Sequence, residues 1–524
     1  MQYLIDLRGR HRRTLAECVF RFCTGPGGYN TRPGDDVPNV HYAARINSAG
    51  DYRRALFGGQ GRTTGVASVD TGEILLANSD GELDELLDYA FDGYDVTVSA
   101  LADLRASYGS RTVVFRATVA QVEVIWDEVR LRIRSRLALL DKPIQEDTYK
   151  GTTIAGGMNE AEGDANLKDA PRVLLYGSAL LVEPVLLNRF DQIYGVGQRL
   201  DGLVEVRDRG AKLPSSGQDY PDLTTLRAAA VPDGSYSTCL ALGLVRLDTE
   251  PEGTLTVRAI EGATAADRTA GQVVRRILVE RAKLVPGVDF LEADIAALDA
   301  LDASEVQYWT GTNSGNMLAA IGEILDSVNA WIAPDRLGVF RIGRFGEPAT
   351  TARRTFSEIE VIEENGTGLQ RLATGDSGGG IPASAITVQH SQIFVVIDKG
   401  NLSGVAKETD PDFVEFAGKQ WRQEEVKLTA IETLHRLSKP LSFTTLLVSA
   451  IAAKTRATLL TALYGVQRDR YDVPVPSRYA VGLDLGDTVQ LRLKRFGLST
   501  GRNFVIVGER SDLGGGVTTL DLWG

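Results

Sequence analysis

Cysteine is scarce in this chain: 524 residues hold three, Cys18, Cys23 and Cys239. An odd number cannot pair completely, which argues against a disulfide scaffold and for assembly in a reducing compartment. The Cys18–Cys23 spacing fits no zinc pattern, so the cysteines read as small hydrophobes. Histidine is nearly as rare. His11, His41, His390 and His435 are the four, none lies in an H-E-x-x-H arrangement, and no two stand at ligand spacing. A P-loop, a G-x-G-x-x-G turn after a strand and a Cys-centred protease signature are all missing. The acidic run Asp80, Glu82, Asp84, Glu85 and Asp88 lacks the ligand order of a calcium loop and reads as an acidic turn opening a helix. Asn365-Gly366-Thr367 and Asn401-Leu402-Ser403 are glycosylation sequons by letter only. No catalytic, cofactor-binding or metal-binding residue is assigned, and no enzymatic activity is expected.

Basic charge is short as well. The formal net charge is −12, the opposite of the footprint needed to grip nucleic acid through its phosphates. No apolar run approaches the ~20 residues of a membrane span. Met1–Arg13 intersperses Asp6 and several arginines among short apolar pieces, so no secretory leader is expected there.

What the chain does contain is strand pattern. Hydrophobic residues make up 43%, ample for several cores, and 55 glycines exceed the roughly 7% average without any period, as turns between strands require. Strands are expected at Cys18–Cys23, Glu73–Ala77, Tyr94–Ser99, Thr112–Val124 and Val129–Leu137, with Gly25-Pro26-Gly27-Gly28 and Gly58-Gly59-Gln60-Gly61 as turns. In Val129–Leu137 the alternation puts Val129, Leu131 and Ile133 on one face and Arg130, Arg132, Arg134 and Arg136 on the other. Four arginines on one strand face of an acidic protein read either as a solvated face or as a stripe that meets carboxylates of a partner. A polar, Gly-rich linker is expected over 149–170. A second β segment, 171–262, carries strands at Val173–Tyr176, Val185–Leu187, Leu203–Arg207, Ser237–Leu247 and Thr254–Ile260.

The period then turns helical. Helices are expected over Arg268–Ala282, over Asp289–Leu301 with Asp289 and Glu292 as a capping box, and over Asn316–Ile332 with Ser314 as N-cap, followed by a strand at Gly338–Gly343. These define an α+β insert, 263–350. From 351 the pattern returns to β, with strands at Glu358–Ile362, Ala385–Gln389 and Ile393–Ile397 and a polar glycine stretch at Gly375–Gly380. A long helix over Phe443–Tyr464 precedes Tyr471–Val475 and three closing strands, Thr488–Leu493, Phe504–Val507 and Thr518–Trp523. The fold class is mainly β with an α+β insert, in several domains.

Several separated segments carry a resemblance. They are LDLGDTVQLRLKRFGL with FVIVGERSDLGGGVTTLDLWG at the end; ALYGVQRDRYDVPVP before it; WTGTNSGNMLAAIGEILDSVNAWIAPDRLGVFRIGRF; PRVLLYGSALLVEPVLLN with VEVRDRGAKL; and GGYNTRPGDDVPNVHYAARINSAGDYRRALFGG. In this order they resemble the baseplate hub (tail tip) proteins of tailed bacteriophages; Ala406–Leu437 matches no part of that pattern. The resemblance implies two tube-like β-barrel domains per subunit, 1–148 and 351–524. It implies a homotrimer at the distal end of the tail tube, assembled in the host cytoplasm and resident in the virion tail. The implied partners are a distal tail ring protein, the tape-measure protein C-terminus, a central tip or fibre protein, and genomic DNA that passes without specific binding. A tail-associated cell-wall hydrolase and a receptor- or glycan-binding tail protein are the alternatives.

Overall fold

The computed structural model describes residues 1–58, 66–154, 160–313, 315–362, 368–372 and 381–524. The Gly59–Gly61 turn, Ser314, Gly375–Gly380 and the Asn365 sequon lie outside the described residues. The protein is mainly β, in several sheets, with helices concentrated in the middle and later parts of the chain.

The opening sheet has ten strands. Its main path runs Tyr29–Asn30, His41–Ala44, Glu17–Cys23, Gln2–His11, Asp95–Leu101, Thr112–Val124, Glu128–Arg134, Glu73–Ala77 and Ile46–Ser48. Its buried face holds Ile5, Leu7, Ile74, Leu76, Val96, Val98, Val129 and Leu131, and these side chains form one core. Two five-stranded sheets follow. One is built around Leu175–Val182 and Leu255–Glu261, the other around Ile193–Gly195 and Leu244–Leu247. Within 149–170, Tyr149 and Ala161 are buried against Leu187, Ile193 and Leu226.

The α+β module carries helices Ala270–Glu280, Glu292–Leu301 and Met317–Asp326 and the hairpin Ala330–Pro334/Phe340–Arg344. Two helix ends differ from expectation. Asp289 does not cap: its carboxylate accepts from Val285 N (2.8 Å) and pairs with Arg136, and Leu291 takes the N-cap position. The third helix starts on Asn316, whose Oδ1 accepts from Ala319 N (3.1 Å). It stops at Asp326 because Asn329 turns left-handed (φ 61°) and sends Ala330 into a strand.

The closing sheet runs Arg354–Ser357, Thr488–Arg492, Arg502–Asp512, Val517–Trp523, Arg470–Pro476 and Gln370–Arg371. Its core merges with that of the α+β module. Three expectations fail nearby. Glu358–Ile362 is a turn. Ile393–Ile397 bends at Phe394 and Val395 and makes no ladder, because its amides bond to scattered carbonyls: Ile393 to Gln420, Phe394 to Leu181, Ile397 to Ala417. The long helix begins only at Ala450. Leu441–Thr444 is instead a strand parallel to Ala385–His390, and Leu446 and Leu447 are pinned to Gln307 and Val306. The tube-like barrels expected at both ends are open sheets among the described residues: neither strand order returns to its first strand.

Candidate assembly interface

The opening and closing sheets share a topology. Each contains a strand, a short helical turn and a three-stranded antiparallel meander whose last strand pairs with the strand before the turn. In the first unit these are Glu73–Ala77, the turn Glu82–Asp88, then Asp95–Leu101, Thr112–Val124 and Glu128–Arg134. In the second they are Arg470–Pro476, the turn Ser477–Ala480, then Thr488–Arg492, Arg502–Asp512 and Val517–Trp523.

The likeness extends to register. Setting Arg134 on Trp523 aligns the ladders. The pair Thr118–Arg134 falls on Val505–Trp523, Glu73–Arg132 on Asp472–Asp521, and Asp95–Thr118 on Thr488–Val505. Each middle strand carries one extra residue against the last strand, Ala120 in one and Val507 in the other. In both units the bulge follows the second pair from the last strand's end. A bulge re-aims and twists a strand, so a shared bulge at a shared register gives the two sheets the same local bend. The flanking strand differs: Gln2–His11 runs antiparallel to the first meander strand, Arg354–Ser357 parallel.

The units are tied by a hairpin from the first. Asp51–Ala55 pairs antiparallel with Gly508–Asp512 of the second unit's middle strand, and Ser68–Thr71 pairs with Asp51–Ala55. Tyr52 stacks on Phe115 in the first core (4.9 Å between ring centres), and its phenol is pushed up to about 12 by burial. Phe57 packs edge-on against Phe345 (5.2 Å) in the second core, and Phe345 in turn meets Trp523 (4.9 Å). Between these anchors lies a buried ionic cluster. Glu509 Oε2 accepts from Arg336 Nη2 (2.7 Å) and Arg54 Nη2 (3.2 Å), and Arg54 Nη1 also meets Asp484 (2.5 Å). Arg336 reaches Val114 O of the first unit and Leu483 O and Ala480 O of the second. Burial alone would raise the Glu509 carboxyl, but Arg336 and then Arg54 outweigh it and hold it below the ordinary carboxylate range. Glu509 thus bridges two guanidiniums from different modules, and Asp484 supplies the second negative charge.

The arginine face of Glu128–Arg134 is built next to the first unit's hairpin turn. Arg130 meets Glu128 (2.8 Å); Arg132 meets Glu73 (2.9 Å) and Glu123 (3.7 Å). Arg134 is exposed and makes no ion pair among the described residues. Arg136 lies beyond the strand. Ser135 Oγ accepts from Leu137 N, caps a 3-10 turn, and swings Arg136 onto Asp289 (2.7 Å) and Gly338 O (3.0 Å) of the α+β module. The structure therefore keeps Arg130, Arg132 and Arg134 together and places Arg136 at an internal junction. Sequence reasoning missed Arg54, Arg336 and Glu509; Glu509, a charged residue after the apolar run Phe504–Val507, carried a signal, whereas Arg54 sits in a polar stretch and Arg336 in a turn.

Among the described residues no three His, Cys, Asp or Glu side chains cluster as a metal site. His390 Nδ1 contacts Ser391 Oγ (2.8 Å), but that hydroxyl donates to Val448 O (3.0 Å), so the imidazole is not placed to take its proton. The acidic run is held by Arg45, which grips Asp80 and Glu82, and by Asn78 Oδ1, which accepts from Leu83 N.

No family model matches the chain, and no curated protein matches it. Among solved structures it is similar to three tail proteins. The prophage MuSo2 43 kDa tail protein from Shewanella oneidensis has 9% identity and a TM-score of 0.40, over 100% of this chain and 96% of that one. The prophage tail protein gp18 from Listeria monocytogenes EGD-e has 7% identity and a TM-score of 0.41, over 100% and 94%. The tail protein from Neisseria meningitidis MC58 has 10% identity and a TM-score of 0.40, over 99% and 96%.

Proposed function

We propose that this chain is the structural hub of a phage tail tip, a homotrimer that caps the distal tail tube and lines part of the DNA-ejection channel. The internal repeat carries the reading. Two meander units with superposable registers in one chain give three copies six near-equivalent faces, which is what a three-fold object needs to dock on a six-fold ring. The ordered resemblance of the sequence segments supports the same assignment. In this role the partners are the distal tail ring, the tape-measure C-terminus, a central tip or fibre protein, and DNA in transit. The net charge of −12 suits a lumen that must not hold phosphates. The role is structural, not catalytic.

The purified chain is expected to sediment as a trimer and, by electron microscopy, to show a three-fold particle whose one face carries six similar lobes. A chain that stays monomeric at high micromolar concentration and ignores the tube and ring proteins would overturn the reading. A peptidoglycan zymogram is expected to show no clearing; clearing would favour the hydrolase.

A further inference from the structure

The repeat exposes a difference between otherwise matched edges. In the second unit, the side of Gly508–Asp512 facing away from the last strand is filled by Asp51–Ala55. Leu56 N donates to Val507 O (2.8 Å), which sets the phase, so Glu509 and Ser511 present their backbone groups to the added strand. The aligned residues of the first unit are Val122 and Val124. Ile125 N donates to Glu128 O (2.9 Å), so residues 121, 123 and 125 bond the last strand, and the amides and carbonyls of Val122 and Val124 face the opposite side. The neighbouring strand stops short of them. It pairs as far as Asp95–Thr118, Tyr94 and Gly93 bond Val119, and Gly93 (φ 80°) turns the chain away. No described strand pairs with Gln121–Val124 on that side. The same hairpin ends in Trp126, which is 95% exposed, an unusual state for the largest apolar side chain.

Resting on the trimer reading, we propose that this open edge takes a strand from a second copy of the chain. That strand would extend the first unit's sheet as Asp51–Ala55 extends the second's. The observation that selects this occupant is the matched register: the chain already fills this edge once, with the first unit as donor and the second as acceptor. Repeating the contact between copies makes it head-to-tail, first unit to second unit and second unit to the next first unit, and three copies close the ring. Unpaired strand edges invite such addition, and Trp126 beside the edge supplies an apolar anchor. The charges separate the two kinds of unit. Glu123 and Arg132 in the first align with Arg510 and Asp521 in the second, a sign reversal at two neighbouring positions that favours alternation over pairing of like units, while Glu73 and Asp472 keep the same sign.

Val124→Pro removes one outward N–H and leaves the pairing with Glu128–Arg134 intact; Trp126→Ala removes the anchor from a solvent-exposed site. Sedimentation of the full-length protein is expected to give a trimer for the wild type. Each variant should raise the dissociation concentration about tenfold or more, with unchanged circular dichroism. Backbone hydrogen exchange in the wild type is expected to slow at Val122 and Val124 on trimerisation. A wild-type trimer that both variants leave intact, with fast exchange at these amides, overturns the edge proposal alone. A wild-type chain that never associates overturns the trimer reading beneath it.

Discussion

The two meander units share a register but not a source of stability. At the aligned position where the second unit carries Glu509, the first carries Val122. The second unit's middle strand is enclosed: a ladder on each side, and a carboxylate that holds Arg54 and Arg336 beneath it. The first unit's middle strand has a ladder on each side over its first half and, among the described residues, on one side only over its second. The same backbone plan thus serves one unit as an internal joint and leaves the other an outward edge. A repeat within one chain lets function diverge by what is laid against it, with the ladder itself unchanged.

The sharpest way to break the comparison is to remove the carboxylate. Glu509→Ala leaves two buried guanidiniums with only Asp484 between them, and loss of one partner of a buried ion pair costs about 3–5 kcal/mol. Val122→Ala at the matched, half-buried site trims two methyls and should cost about 1 kcal/mol. Urea denaturation of both variants measures the gap; equal losses would mean that the hairpin is held by the ladder and Tyr52 alone.

Acid should act on the same joint. The Glu509 carboxyl titrates below its unfolded value, so its contribution is fully present above the ordinary carboxylate range and is lost as pH falls through the lower, folded value. Stability measured from pH 7 down to pH 3 is expected to decline below about pH 4.5, the decline being shallower in Glu509→Gln. Identical pH slopes in the two proteins would remove Glu509 from the account.

Much of the first unit was legible because its strands alternate cleanly. Glu73–Ala77 and Thr112–Val124 are strands over the expected spans, and Arg130, Arg132 and Arg134 share a face as period two requires. Gln2–His11 does not read as a strand in the letters because its first residues are buried on both faces, so Leu4, Ile5 and Leu7 do not alternate strictly. The joining hairpin was illegible for another reason. Asp51–Ala55 reads DYRRA, a polar stretch, and its partner lies more than 450 positions away. Its second arginine, Arg54, is buried where Glu509 and Asp484 meet it. The repeat itself leaves no trace in the letters. Register is a property of the backbone, and aligned pairs such as Arg132 with Asp521 share neither size nor charge.

Those two residues give the finest test of the comparison. Arg132 pairs with Glu73 on the surface, about half exposed. At the matched site Arg470 forks onto both oxygens of Asp521 and is 9% exposed. Surface pairs contribute about 0–1 kcal/mol, because two long side chains must be ordered in a high dielectric. A sheltered bidentate pair contributes about 1.5–3 kcal/mol. Arg132→Ala should therefore leave the monomer's melting temperature nearly unchanged, and Arg470→Ala should lower it. The pair also bears on Asp472, whose carboxyl is raised by burial and by the nearby Asp521 charge and which keeps Arg470 among its neighbours. Removing Arg470 should raise it further, so the stability deficit of Arg470→Ala is expected to shrink as pH falls toward 4, where a protonated Asp472 no longer repels Asp521. A deficit that stays level from pH 7 to pH 4 would show that the fork's hydrogen bonds, and not the repulsion they offset, decide the stability of that corner.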